Sequence, residues 1–480
     1  MTGEEFDVAV VGGGPAGCTV ATLVARRGHR VVQLERETFP RYQIGESLLP
    51  ATVHGVCRLL GVLDEMERAG FPRKRGGSFR WGSNPRPWTF AFELAPDLVA
   101  STGYAFQVER ARFDQILLDN ARRAGVDVRE GCGVHDVVVA GDRVTGVRYA
   151  DPDGRPRELH ARFVVDASGS HGRLHTHVGA REYSEFFRNL AVFGYFEGGR
   201  RLPGRDAGNI LCAAFDEGWL WYIPLTATLT SVGAVVGRDR ADVIAADREG
   251  ALRRFIDHCE IVRTYLADAT RVEGGVYGEV RTRKDWSYRA TRFWRPGMAL
   301  VGDAACFVDP VFSTGVHLAT YGGLLAARSI NAVLGGDLAE RRAFDEFEGR
   351  YRREYGLLER FLTAFYDMHK DERSYFWNAK KVLGGGSMDL ESFVTLVGGV
   401  ASGEAALTGR VPTTGEPVPA DDEELVDYRF AVPGLGALMQ EMVDTARRAV
   451  TGAGPGTESP LLPGGLVPTP DALSWAEPAP

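Results

Sequence analysis

Lysine is scarce in this sequence. Of its 56 lysines and arginines, five are lysine: Lys74, Lys284, Lys370, Lys380 and Lys381. One of them stands between two arginines, in Phe71-Pro72-Arg73-Lys74-Arg75-Gly76. Arginine is effectively always protonated, whereas a desolvated lysine amine loses its proton, attacks an electrophile or donates a proton. A chain that uses arginine elsewhere thus marks Lys74 as a candidate for chemistry; the competing reading is a solvated basic run. A second candidate is Phe307-Val308-Asp309-Pro310-Val311-Phe312-Ser313-Thr314-Gly315, small residues opening a helix, where free backbone N–H groups make an anion site and Ser313 or Thr314 could serve as a plain N-cap. A third is Trp219-Leu220-Trp221-Tyr222-Ile223-Pro224. Its two indoles on a proline-stiffened strand end form either a rigid wall or a core strand.

Beside these lies a cofactor signature. Gly12-Gly13-Gly14-Pro15-Ala16-Gly17 is a G-x-G-x-x-G between a hydrophobic strand and an amphipathic helix, and Glu35 ends the next strand. Gly12 would make the tight turn, Gly14 would admit a pyrophosphate, and Gly17 would allow helix–strand packing, with an acid for a ribose hydroxyl. Gly12, Gly14, Ala16, Gly17 and Glu35 are therefore assigned to a dinucleotide. Two further strands, Phe163-Val164-Val165-Asp166 and Met298-Ala299-Leu300-Val301-Gly302-Asp303, each run into an acid. The ribityl chain of a flavin needs polar groups on such additional strands, so FAD is expected, with Asp303 poised for the ribityl hydroxyls.

The elements that must position these groups follow from periodicity. Strands are expected at Phe6–Val11 and Arg30–Glu35 around a helix at Cys18–Arg27, with a hairpin at Val134–Val139 and Val144–Tyr149 and a β-rich stretch over 186–236. A long helix is expected from about Gly315 to Leu334, and Phe344, Phe347, Tyr351, Tyr355, Leu358, Leu362 and Phe365 recur at helical spacing. The fold class is α/β. Residues 1–75, 105–180 and 285–335 are expected to form a discontinuous FAD-binding Rossmann-like domain, and 76–104 and 181–284 an inserted β-rich substrate domain. Residues 336–450 would form a helical C-terminal module, and the proline-rich 451–480 a disordered tail. The net charge of −8 gives no reason to expect a nucleic-acid partner. The absence of an 18-residue apolar run, of a signal-peptide pattern and of paired cysteine motifs points to a cytoplasmic protein without a membrane span, its six cysteines reduced. His171, His175 and His177 lack a ligand count suited to a metal, and none is expected.

With its three acid-bearing pieces, the sequence resembles the class A flavin monooxygenase superfamily, whose fold is that of para-hydroxybenzoate hydroxylase. In that resemblance Arg110 and Val316 fall at cofactor-holding positions; an unrelated surface arginine at a helix start is the alternative for Arg110. The W-x-W-x-I-P, F-x-x-K-x-G and pre-helix motifs, over residues 5–385, resemble the flavin-dependent halogenases. The resemblance implies halide contacts at Thr314 and Gly315, a flavin-side wall of Trp219 and Trp221 that keeps an aromatic ring from being hydroxylated, and a catalytic Lys74 that meets hypohalous acid. Lys74 would either form a chloramine or hydrogen-bond the oxidant. It also implies FAD used as FADH2, O2, chloride or bromide, and a separate flavin reductase. Tryptophan halogenases carry an acid just before the motif serine; here Phe312 stands there. That departure points away from free tryptophan, towards a small phenolic or pyrrolic substrate held on an acyl or peptidyl carrier protein. Gly45-Glu46-Ser47-Leu48-Leu49-Pro50 also occurs in this subfamily, and Glu46 could be catalytic or structural. A single-component NAD(P)H-dependent aromatic hydroxylase is the main rival, and an isoprenoid reductase of the same fold a weaker one. For the carrier, Arg350, Arg352, Arg353, Lys380 and Lys381 near Tyr375, Phe376 and Trp377 offer a candidate docking face.

Overall fold

A computed structural model describes residues 4–81, 87–95, 98, 101–367, 390–409 and 465–478. Its first sheet is built around the glycine turn. The parallel strands Met298–Leu300, Pro156–Asp166, Glu4–Val11, Val31–Leu34 and Asp127–Arg129 lie side by side in that order. Val8 to Val11 and Val31 to Leu34 are buried throughout, as strands covered on both faces must be. Register does the functional work: Val11 pairs with Asp166 and Leu34, and Asp166 with Leu300. The turns that follow, carrying Gly12, Ala167 and Gly302, therefore meet at the carboxyl ends of the strands, where open α/β sheets bind ligands. The hairpin Gly133–Ala140 and Arg143–Ala150 joins antiparallel to the early part of Pro156–Asp166.

The second sheet runs Cys306–Phe307, Arg281–Ala290, Arg181–Glu197, Leu229–Gly237, Gly218–Pro224, Ile210–Phe215, Gly76–Arg80, Trp88–Ala91. It is antiparallel except where Ile210–Phe215 lies parallel to Gly76–Arg80. Strand alternation gives it two different faces. Leu211, Ala213, Leu220 and Tyr222 pack with Leu252 and Phe255 of the helix Arg248–Asp257. Cys212, Trp219 and Trp221 belong instead to the main core, with Phe79, Phe312 and Phe365. Arg281–Ala290 lies in this sheet from end to end, so the border drawn at 284/285 falls inside a strand, and the first-sheet segment begins after it.

Helix Pro15–Ala25 starts on the glycine turn with Pro15 in its first turn and is buried over ten positions. The twenty-residue helix Gly315–Leu334 packs on it, and Glu340–Asp367 packs on that helix in turn. The expected disordered tail does not hold for 465–478. Val467–Pro468 pairs with Trp475–Ala476, and Trp475 is buried against the helix Gly315–Leu334. Composition misled there because one tryptophan carries enough apolar area to anchor a proline-rich segment.

Candidate active site

The glycines separate what the chain needs from what a ligand needs. Gly12 has φ +110°, and a Cβ there would lie 2.4 Å from the Ala167 carbonyl oxygen; at Gly17 it would lie 2.1 Å from the Gly12 oxygen. Both are demanded by the protein's own packing. Gly14 is not: its φ is −79°, and a Cβ would meet nothing closer than Arg41 Nη2 at 3.6 Å. The space it leaves open is not needed by the chain's own packing, and a turn with such room fits the approach of a dinucleotide pyrophosphate, and so FAD. Glu35 is buried; its Oε2 accepts the Gly13 N–H at 2.6 Å and its Oε1 accepts the Glu37 N–H at 2.8 Å. It thus braces the turn and retains lone pairs for a ribose hydroxyl. Ala16 lies in the first turn of the helix, also buried.

Arg110 is not a surface residue. It is the first residue of the buried-face helix Arg110–Arg123, grips Asp114 through Nε and Nη2 at 2.8 and 2.9 Å, and donates to the Ile44 carbonyl at 2.6 Å. At Gly45, whose φ is +100°, a Cβ would lie 2.9 Å from Arg110 Nη1 and 3.9 Å from Val316 Cγ2, so these three residues converge. Asp303 is half-buried; desolvation pushes its carboxyl up to about 6, against the pull of Arg110 and Arg181. Sequence reasoning missed Arg41, which donates to Asp114 at 2.9 Å and overhangs Gly14. Its role depends on a loop meeting a helix 73 residues later, and no local spacing announces that.

Lys74 sits on the two-residue strand Arg73–Lys74, paired with Ala105–Phe106. Alternation sends Arg73 outward to Glu67 and the Tyr104 ring, and turns Lys74 inward, 2% exposed. Its Nζ donates to the Leu48 carbonyl at 3.0 Å and to Ser313 Oγ at 3.4 Å, and stands 5.5 Å from the Phe92 ring centre. Both hydrogen-bond partners are neutral, and burial pulls the amine down to about 7. The solvated-run reading is therefore excluded for Lys74.

In the pre-helix turn, Asp309 caps Pro310–Phe312, Ser313 takes a left-handed φ of 63°, and the helix begins at Gly315. Neither Ser313 nor Thr314 makes a side-chain N-cap bond: the serine hydroxyl goes to Lys74, and the fully buried Thr314 Oγ1 has no partner among the described residues. A Cβ at Gly315 would meet nothing within 4 Å. Free N–H groups, a buried hydroxyl and open space thus share a helix start.

Trp219 and Trp221 project from one face of Gly218–Pro224, ring centres 6.2 Å apart, both buried. Trp219 Nε1 donates to the Tyr366 hydroxyl and Trp221 Nε1 to Ser231 Oγ. Ring-to-ring contacts connect lysine and wall: Phe92 touches Phe90, Phe90 touches Phe393, Phe393 touches Phe312, Phe312 touches Phe365, Phe365 touches Trp81, and Trp81 touches Trp219. Phe312 stacks on Phe361 at 4.8 Å and is buried, in surroundings that would strongly disfavour a carboxylate. Glu46 is buried too. Its Oε1 accepts the Tyr195 hydroxyl at 2.8 Å, Tyr195 is linked to Tyr42 at 2.7 Å, and burial pushes the carboxyl up to about 7.

Two other groups behave differently. His175 bonds the Gly172 carbonyl and His177 approaches Asp136, so they do not converge; among the described residues no group of His, Cys, Asp or Glu is arranged for a metal. Arg350 and Arg352 are not a free basic face: each pairs with a glutamate one helical turn earlier, Glu346 and Glu348, and Arg350 also bonds the Leu466 carbonyl. Tyr375, Phe376, Trp377, Lys380 and Lys381 lie outside the described residues. Among those described, no helix is long and apolar enough to cross a membrane.

A glycine turn between strand and helix, a buried acid bracing it and a further acid beyond a neighbouring strand fit an FAD-dependent flavoprotein. The family model for tryptophan halogenase matches residues 7–99 and 93–408, and the chain belongs to that family of flavin-dependent halogenases. A tryptophan 2-halogenase from Chondromyces crocatus is 34% identical over 424 residues, covering 86% of this chain and 79% of that one. The solved structure of the myxobacterial chondrochloren halogenase CndH, an FAD-dependent halogenase, superposes with a TM-score of 0.80 at 52% identity, covering 98% of this chain and all of that one. The flavin-dependent halogenase CmlS superposes at 0.72 with 35% identity, over 80% and 68% of the two chains. The protein is an FAD-dependent enzyme that halogenates aromatic substrates with halide and O2.

Proposed function

We propose that this halogenase chlorinates a neutral, electron-rich ring, phenolic or pyrrolic, presented as an acyl thioester on a carrier protein. One observation carries the reading: Lys74 is a buried amine with neutral partners, beside rings and with Phe312 in place of an acid. A free amino acid would bring an ammonium and a carboxylate that need counter-charges on burial. The ring contacts that run from Lys74 to Trp219 are aromatic at every step and supply none. A ring whose charged handle is replaced by a thioester arm meets no such cost. Chloride is favoured over bromide because it is the abundant halide.

FAD held at Gly12, Gly14, Ala16, Gly17, Glu35, Arg110, Asp303 and Val316 supplies, once reduced, the electrons with which O2 oxidises halide to hypohalous acid. Flavin-dependent halogenases generally draw this reduced flavin from a separate reductase. The residues of the chain divide the remaining work. The backbone N–H groups of Thr314 and Gly315 hold the halide. Trp219 and Trp221 keep the ring away from the flavin, so the oxidant must reach Lys74. As a free amine, Lys74 takes up the halogen with loss of water and passes it to the ring carbon, whose proton leaves; as an ammonium, it hydrogen-bonds and polarises the acid instead. Glu46 is left as a buried structural carboxyl in this scheme.

The test is mass spectrometry of products with added flavin reductase, O2 and either chloride or bromide. Aryl thioesters on a carrier protein, the matching free acids and free tryptophan are offered side by side. Halogenated carrier-bound product is expected, and tryptophan halogenated faster than any thioester overturns the substrate reading.

A further inference from the structure

The wall and the halide turn are joined by a buried line of hydrogen bonds that neither assignment uses. Trp219 Nε1 donates to the Tyr366 hydroxyl at 2.7 Å, and that hydroxyl donates to Asp309 Oδ2 at 2.9 Å. The direction is fixed by chemistry, since an indole N–H only donates and a carboxylate only accepts. Asp309 is fully buried and opens the turn that ends at Gly315. Its Oδ2 also accepts from Asn189 Nδ2 at 3.2 Å, its Oδ1 accepts the Val311 N–H at 3.2 Å, and its own N–H donates to Ser287 Oγ at 2.9 Å. Asp309 thereby fastens the turn to two strands of the second sheet, one through its carboxyl and one through its backbone N–H, and through Tyr366 to the end of the helix Glu340–Asp367.

The arrangement is costly. A buried carboxylate is dearer than apolar packing of the same volume, and such groups are retained where geometry must be specified. The turn it anchors holds a non-glycine residue, Ser313, at φ 63°, a conformation that persists only when its surroundings enforce it. Burial, with Asp309 alongside, holds the Tyr366 hydroxyl well above its ordinary value, so it keeps the proton that it donates.

We propose that Tyr366 and Asp309 are positioning residues that lock the tryptophan wall and the halide turn into one rigid unit. Halide capture and exclusion of the ring from the flavin are then set together. The inference rests on the roles proposed for Trp219, Thr314 and Gly315.

Tyr366→Phe keeps the ring contacts with Phe187 and Trp81 and removes the shared hydroxyl. In the FAD-loaded enzyme with reductase, the readouts are the chloride KM, kcat at saturating chloride, and hydrogen peroxide released per nicotinamide oxidised. Misplacing the turn is expected to raise the chloride KM by roughly tenfold, with a smaller fall in kcat and a higher peroxide ratio. Trp219→Phe breaks the same link from its other end and gives the same readouts should Tyr366→Phe fail to fold. The double variant is expected to be no worse than the more damaging single variant, because one link is broken once. A residue that merely supported the fold would lower melting temperature and FAD content while leaving KM and the peroxide ratio alone. Wild-type KM and peroxide ratio in Tyr366→Phe, or losses that multiply in the double variant, overturn the proposal. Wild-type enzyme that makes no halogenated product would remove the site reading itself, which the wild-type control shows separately.

Discussion

At the scale of single residues, Lys74 separates charge from titration. Lys74→Arg keeps a cation but loses the group that can exist as a free amine near neutrality. It is expected to retain FAD and to lose halogenation by at least about a hundredfold, the scale of a proton-transferring or nucleophilic side chain. Product at a near wild-type rate would remove Lys74 from the chemistry. Its titration also has a signed consequence for stability. The amine sits at about 7 in the folded chain and at its ordinary 10.5 when exposed. Between those values the unfolded chain binds the extra proton, so stability rises with pH across that window; below it, the buried cation is a full cost of about 4 to 5 kcal/mol. Lys74→Met removes this dependence. Its melting temperature is expected to exceed the wild-type value at pH 6 by more than it does at pH 9, and an equal gap at both would refute the burial argument. The rate profile separates the two uses of the amine. Transfer through a free amine makes kcat rise through about pH 7, whereas an orienting ammonium makes it fall.

At the scale of elements, the glycine turn offers a contrast between two substitutions of the same kind. Gly17→Val drives a side chain into the Gly12 carbonyl and is expected to abolish soluble protein. Gly14→Val has room within the chain but would fill the approach proposed for the pyrophosphate. It is expected to give folded, colourless protein, read from absorbance and melting temperature; full yellow absorbance would mean that FAD lies elsewhere. Such a turn is legible in a sequence because strand, glycines and acid fall within some thirty residues and each constraint is local. The long helix is legible for the same reason, down to its start at Gly315. Arg41 above Gly14 and the Asp309–Tyr366 bond are not, because each joins residues whose separation in sequence carries no period. The border at 284/285 failed because Arg281–Ala290 joins the second sheet through its pairing with Arg181–Glu197, a register no local pattern announces. Arg350 and Arg352 were readable after all. Glu346 and Glu348 stand four residues before them, the spacing at which a helix pairs opposite charges.

At the scale of the whole molecule, the C-terminal segment 465–478 closes over the helix that begins at Gly315, the proposed halide turn. The guanidinium groups of Arg328 and Arg350 each lie 4.8 Å from the ring centre of Trp475, whose Nε1 donates to Ser329 Oγ at 3.0 Å. Arg328, fully buried, donates to the Ala472 carbonyl at 2.8 Å and pairs with Glu404 at 3.0 Å, while Asn331 donates to the Leu473 carbonyl. The strap thus covers a buried ion pair and takes up one of its remaining donors. Arg328 lies fourteen residues beyond Thr314, about 20 Å along the helix axis, so the strap holds the helix far from the halide site. Trp475→Ala removes the ring from both arginines and opens the buried pair to an ill-packed cavity. The expected loss is roughly 3 to 5 kcal/mol, the range for deleting a large buried aromatic, seen as a lower melting temperature. At low temperature, where the fold survives, kcat and the chloride KM are expected to stay within about twofold of wild type, because binding geometry changes little when a distant brace is lost. A variant that melts like wild type would make the segment a passenger. One that keeps its melting temperature but loses kcat would mean that the strap acts on the site through the helix, as a lever and not a brace.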